Sequence, residues 1–382
     1  MESFDSLSAL AGTLPAMPGH ASLPATEHHI SMRTRLAVEK AMADNPGDEP
    51  AQIDAIAKIR RYFMGQGRVV GIVDAYIDGA TDVQETVRQI AEPIEYAYTT
   101  ANGGRLFVSE EKLARHQRPF HSPDKAVEMW GPEENIDEFQ ARVTDPIDAP
   151  SVEGELWDLY YTILHASKRI PWIDGGAQQK LVDLLASLKA RPNPPRPAGM
   201  TVALNRYWIY EWGELWGDLV LLGPAGRETW NDSPGCGSGW EKPEVSAWLN
   251  VNAFVARLTV QGVRNFATYG NWALRDALEE EIEPSAGAHH PAPSKAYKAE
   301  LLFQVAAVWI RLAGQYMFDR LIPDPEDGKE PDTLFWTHSQ WDKWRGRFEE
   351  EAQKEQYSNE VTIVAKECAA IMATFSVTPT VD

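Results

Sequence analysis

Six tryptophans, Trp208, Trp212, Trp216, Trp230, Trp240 and Trp248, crowd into one short stretch of this chain. Each indole carries a large apolar face and one N–H that needs an acceptor once buried, so such a cluster demands an ordered interior or pocket around it. The 382 residues hold 14 Trp, more than either Tyr or Phe, so indoles dominate the aromatic packing. Burying one withdraws about 150–250 Å² from water, on the order of 4–6 kcal/mol as an upper figure. Exposing several together would forfeit a term comparable with the whole stability of a domain, about 5–15 kcal/mol. Trp208, Trp212 and Trp216 are therefore expected in the core. Trp230 and Trp240 lie in a stretch punctuated by Gly and Pro, and divide between core and pocket wall.

Around these residues the apolar pattern is helical. Val69, Ile72, Val73 and Tyr76 repeat at i, i+3, i+4, i+7. Thr81 to Tyr98 reads as a second helix, with Pro93 as a kink or break. Leu156, Tyr160, Ile163 and Ser167 mark a helix ended near Pro171, and Leu181, Leu184, Leu185 and Leu188 the next, ended by Pro192–Pro197. Trp208, Trp212, Leu215, Trp216 and Leu219 share a face of a third helix, stopped by Gly223-Pro224. A fourth is expected from about Glu244 past Phe266. Ser294 caps a helix reaching Leu321, apolar nearly all round, with small Ala306, Ala307, Ala313 and Gly314 admitting close neighbours: the mark of a central, buried helix. Trp341, Trp344 and Phe348 lie on another, and Val361, Val364, Ala365, Cys368, Ile371, Met372 and Phe375 on a last. Alternating strand patterns are nearly absent. The expected fold class is all-α, a single large irregular helical bundle with a disordered N-terminal tail. Its parts are the tail at 1–31, N-terminal helices at 32–100, a connection at 101–150 and the Trp-rich core at 151–376. The connection is either irregular or an insertion of short helices, with a strand at Arg105–Val108.

The formal net charge of −20 argues against nucleic acid, whose phosphates such a field repels. Two cysteines, Cys236 and Cys368, exclude a disulfide scaffold and point to a reducing compartment. The first Lys or Arg is Arg33, so residues 1–32 are expected to hold neither a secretory nor a mitochondrial leader pattern. The longest apolar stretch, Leu301 to Gly314, is interrupted by Gln304 and Arg311 and is too short to span a bilayer. The expected setting is cytoplasmic or nuclear, with neither a nucleic-acid nor a membrane partner.

An ordered series of short motifs resembles a known family. They are Leu164-His165-Ala166, Lys180 to Leu185, Leu215-Trp216-Gly217-Asp218-Leu219, Arg227-Glu228-Thr229-Trp230-Asn231, Trp248 to Leu258, Ala306 to Ile310 and Trp341-Asp342-Lys343-Trp344. Together, over roughly residues 155–375, they resemble the fungal family catalogued as domain of unknown function 3632. The resemblance implies a helical, intracellular, fungal protein and supplies no reaction or catalytic residue.

Glu211, Glu214 and Asp218, at i, i+3, i+7, read as the solvated side of an amphipathic helix rather than as paired catalytic carboxylates. Asn250, Asn252, Arg257 and Arg264 interrupt an apolar helix. A buried Arg257 needs a partner, and Asp218 and Glu228 are candidates; the choice lies between a structural network and the polar floor of a pocket. Pro234 to Gly239 lacks the Lys-Ser/Thr of a phosphate loop and reads as a flexible turn exposing Cys236. His28-His29 and His289-His290 read as solvent-exposed, and no metal site or cofactor is expected.

No motif names a reaction. The first reading is a non-enzymatic helical binding or scaffold protein. The alternative is a small-molecule binder or an enzyme of specialised metabolism, with Trp230 and Trp240 as walls and Asp218, Arg227, Asn252 and Arg257 as polar contacts. A cavity beneath the loop 223–243 favours the alternative, and a filled core with an exposed apolar groove favours the first.

Overall fold

The computed structural model describes residues 25–100, 103–133, 151–280, 282, 293–324, 336–354 and 358–375. Short polar side chains start most of its helices by accepting a bond from the otherwise orphaned third backbone N–H, as Asp48, Asp82, Ser151, Asp174, Ser294 and Thr337 do. Among the described residues, six helices precede the Trp-rich region and nine lie within it; the six are α1 (Ala25–Asp44), α2 (Glu49–Arg60), α3 (Val69–Ile77), α4 (Val83–Thr99), α5 (Gly103–Gln117) and α6 (Pro123–Trp130). The nine are α7 (Val152–Arg169), α8 (Gly175–Lys189), α9 (Val202–Trp208), α10 (Leu222–Thr229), α11 (Lys242–Val260), α12 (Ala267–Leu278), α13 (Lys295–Phe318), α14 (His338–Glu351) and α15 (Asn359–Thr374). Among the described residues there are two isolated bridges and no strand, so the fold is all-α.

The centre is α13. It packs against α11, α12 and α15, and α11 in turn packs on α7. Trp309 of α13 is fully buried and donates its indole N–H to Asn252 of α11 at 3.0 Å. Gly270 lets α12 approach, since a Cβ there would meet the Trp309 ring at 2.7 Å. By length and composition alone the 24-residue α13 would suit a membrane span, longer than the stretch read from the sequence. Here it is a core helix, most of it buried between its neighbours.

The N-terminal pair α1–α2 has its own small apolar cluster of Val38, Ile56, Ala57 and Tyr62. Charges fasten it to the rest. Arg60 pairs with Glu244, Ser246 donates to Glu49, and His165 meets Asp54 at 2.8 Å. Desolvation raises the Asp54 carboxyl, but the His165 bond and the Arg169 and Lys58 charges outweigh it and hold it low.

Several expectations are corrected. Helix α1 begins at Ala25, so residues 25–31 are helical; the rest of the expected tail lies outside the described residues. Arg105–Val108 is helix within α5 rather than strand, and the short-helix alternative describes residues 103–130. Residues 134–150 and His289-His290 lie outside the described residues, as do the side chains of His28-His29. Pro93 does not break α4. Proline cannot donate to the Gln89 carbonyl one turn back, and Arg68 donates to it instead at 2.9 Å. The helix expected through Trp208–Leu219 stops at Trp208. Residues 209–221 form tight turns, with Leu219 and Leu221 in left-handed backbone (φ 46 and 73), and a helix begins where Gly223-Pro224 was expected to stop one. Burial of both leucines offsets that strain. The helix expected past Phe266 is two, α11 and α12, parted at Gly262 (φ 67).

Candidate functional site

The turns at 209–221 change what their polar residues do. Glu211, Glu214 and Asp218 do not line a helix face. Glu211 accepts from the Leu221 N–H (2.7 Å) and from Arg264 (3.0 Å), Glu214 accepts from Asn193 (2.8 Å), and Asp218 accepts from the Glu214 N–H (2.7 Å). They satisfy backbone and neighbours where no helix ladder does. Trp208 and Trp216 are buried as expected, and Trp216 donates to Glu95 at 2.8 Å. Trp212 is 41% exposed, with the Arg196 guanidinium 3.7 Å above its ring. Its spacing matched a helix that does not form.

Downstream, four segments converge on a cleft of about 320 Å³. The loop after α10 supplies Trp230, Ser233, Pro234 and Trp240. Trp248 and Asn252, one turn apart, come from α11; Tyr269, Trp272, Ala273 and Asp276 form one face of α12, with Glu280 and Ile282 just beyond its end. Lys298, Leu301, Leu302 and Val305 form one face of α13. The rings interlock. Trp230 stacks on Tyr269 (centroids 3.9 Å apart, 14° between planes), meets Trp248 edge to face (4.9 Å, 63°), and Tyr269 tilts against Trp272 (5.2 Å). Burial pushes the Tyr269 hydroxyl up to about 12. Trp272 is 46% exposed, so the aromatic wall continues to the surface.

The loop forming this wall is tethered from behind by hydrogen bonds. Glu244, at the start of α11, accepts from the Gly239 N–H (2.9 Å), the Glu241 N–H (3.1 Å), the Tyr62 hydroxyl (3.2 Å) and Arg60. Asp232 accepts from Lys168 (2.6 Å) and the Phe63 N–H (3.1 Å). Burial pushes the Lys168 ammonium down, and the Asp232 charge pulls it back. A Cβ at Gly239 would sit 2.4 Å from the Arg60 guanidinium and 2.5 Å from the Glu244 carboxylate, so any larger residue would push that ion pair aside. Cys236 is exposed at its tip, as expected.

Of the six residues singled out from sequence, the structure brings Trp230, Trp240 and Asn252 together in this cleft. Asn252 is its floor, with its amide engaged by Trp309 and by the Trp248 carbonyl at 2.9 Å. The other three lie elsewhere. Asp218 caps its own turn, and Arg227 is exposed on α10. Arg257 is half-buried and pairs with neither Asp218 nor Glu228. It donates to Gln178 (2.6 Å) and to the Trp172 carbonyl (2.9 Å), while Asn250 accepts the Trp172 N–H (2.8 Å). The network that fixes helix docking is thus built with neutral acceptors. Arg264, rather than Arg257, reaches the 209–221 turns at the Asp218 carbonyl (2.8 Å), as Arg196 does at the Gly213 carbonyl (2.7 Å).

Trp248, Tyr269, Trp272, Asp276, Glu280 and Lys298 were not anticipated as site residues. Tyr269, Trp272 and Asp276 sit at i, i+3, i+7, a helical face hidden while α11 and α12 were read as one helix. Asp276 reaches solvent at the cleft rim, yet desolvation on its protein side pushes its carboxyl up to about 6. Glu280 adds repulsion, and Arg275 and Lys298 pull the other way. Among the described residues, no three His, Cys, Asp or Glu side chains group as metal ligands would.

The model of a family described as "Protein of unknown function (DUF3632)" matches residues 160–348, a narrower span than the motif series. No curated protein and no solved structure matches the chain. The stretch similar to that family of unknown function, residues 160–348, holds every residue that lines the cleft.

Proposed function

We propose that this protein binds a small molecule in the aromatic cleft. The observation that carries the reading is the loop at 230–240 folded against α11, α12 and α13 so that an open volume of about 320 Å³ remains between aromatic faces. That volume sits at the lower end of small-molecule pockets, about 300–1,000 Å³, and apolar walls with a few convergent polar groups are their usual lining. The pinning of the loop by Glu244 and Asp232 supports a preformed site, which loses less ordering entropy on binding. Two free cysteines, one exposed and one buried, fit a reducing intracellular setting.

A thermal-shift screen of a chemically diverse small-molecule library tests this. A ligand at 100 times its Kd stabilises by about 2.7 kcal/mol, and its shift should vanish in Trp240→Ala. A library yielding no stabiliser of the parent, or only stabilisers indifferent to Trp240, would sink the reading. A second reading, acid–base catalysis on a bound ligand, is favoured by the Asp276 carboxyl alone, since a pKa near 6 suits a proton carrier at neutral pH. Turnover of a cleft ligand that survives Asp276→Asn would exclude it.

A further inference from the structure

We infer that the cleft selects an organic cation, a flat or hydrophobic ring body carrying a protonated amine, with the body between the Trp230, Trp240 and Trp248 walls and the ammonium toward Asp276 and Glu280. This rests on the small-molecule reading above and names what that cleft prefers. Three observations converge on it.

The first is charge. The lining holds two carboxylates, Asp276 and Glu280, against one cation, Lys298, and no arginine. Neither carboxylate makes a hydrogen bond or ion pair among the described residues. Arg275, their nearest basic neighbour in sequence, points its guanidinium at Glu279 instead (3.2 Å). An anionic ligand would find a single ammonium offset by two negative charges.

The second is the aromatic wall. Indole faces are electron-rich and attract cations more strongly than other side-chain rings do. Trp230, Trp240, Trp248 and Trp272 all line this cleft, and Trp272 is 46% exposed. The third is the field of the molecule. A net charge of −20 steers cations inward and repels anions before contact.

Isothermal titration calorimetry on the full chain at pH 7.5 and low salt separates ring from charge, using tryptamine (cationic), 3-ethylindole (neutral) and indole-3-propionate (anionic) as probes. Tryptamine should bind at least tenfold tighter than 3-ethylindole, with indole-3-propionate weakest. Asp276→Asn/Glu280→Gln should erase the tenfold preference and leave 3-ethylindole unchanged, and Trp240→Ala should weaken all three. Thermal melts of each variant establish that it is folded. Equal or tighter binding of the neutral or anionic probe, still lost in Trp240→Ala, overturns the cation preference and leaves the cleft as a binding site. Absence of binding by all three, or binding indifferent to Trp240, overturns both.

Discussion

The Lys168 ammonium donates to the Asp232 carboxylate at 2.6 Å, and the two side chains are 2% and 4% exposed. Lys168 belongs to α7 and Asp232 to the loop that walls the cleft, so this pair joins the middle of the bundle to the site. The same carboxylate accepts the Phe63 N–H, drawing in the segment after α2. Removing one charge strands the other out of water. Asp232→Ala is expected to lower unfolding stability by about 3–5 kcal/mol, whereas Lys168→Met/Asp232→Leu, which removes both, should recover most of the loss. Urea unfolding followed by circular dichroism measures both; a double variant no better than the single would refute the pairing.

Arg257 is held by neutral oxygens on Gln178 and Trp172, so its loss strands no carboxylate. Arg257→Ala should cost about 1.5–3 kcal/mol, the range for hydrogen bonds to a charged donor. Lysine should not rescue it, because one ammonium cannot reproduce the guanidinium fork that reaches both acceptors. A loss above 4 kcal/mol would mean that a charged partner exists after all.

Trp309 and Trp240 separate the core from the site. Trp309→Ala empties space at the centre of the bundle and should cost about 3–5 kcal/mol. Trp240 is only partly buried, and Trp240→Ala should cost markedly less. Equal losses in chemical denaturation would make Trp240 a core residue and remove it from the cleft wall.

Asp276 sets a stability change with pH. Its carboxyl binds a proton more tightly in the fold, at about 6, than the ordinary value of 3.8. The stabilisation from holding that proton is complete below about pH 4 and is lost as pH rises through about 6. Asp276→Asn should therefore be more stable than the parent above pH 6 and match it below pH 4. Solvent at the cleft rim limits the gain to about 1 kcal/mol or less. Melts at pH 4 and pH 7.5 check the sign, and a less stable variant at pH 7.5 would contradict it.

Residues 160–348 alone should not fold cooperatively. That cut removes Tyr62 and Arg60 from Glu244 and the Phe63 N–H from Asp232, and it strips α15 from α13. The full chain should show one sharp calorimetric transition and the fragment none; a sharp transition in the fragment would show that the N-terminal helices are dispensable.

Much of the helical content was legible because local chemistry and spacing agree. Ser294 does cap α13, the 3.6-residue period did identify the buried faces of α7, α8, α14 and α15, and the near-absence of alternation did exclude sheet. Period misled where long-range bonds replaced the helix ladder. From Trp208 to Leu219 the aromatic spacing is helical, yet the Trp216 and Gly217 N–H groups both bond to Asn193, more than twenty residues away. No window along the chain contains that acceptor.

The cleft divides in the same way. By itself, the sequence determined that this chain builds helices, that Trp208 and Trp216 are interior, and that Trp230 and Trp240 sit where the helical pattern fails, since each of these follows from side-chain size, polarity and spacing within a few turns. Only the tertiary structure decided which faces meet. The break at Gly262 turns Tyr269, Trp272 and Asp276 toward Trp230, and the docking of α13 brings Lys298 across from them. Convergence of four segments is a property of packing in three dimensions, and one-dimensional periodicity carries no information about it.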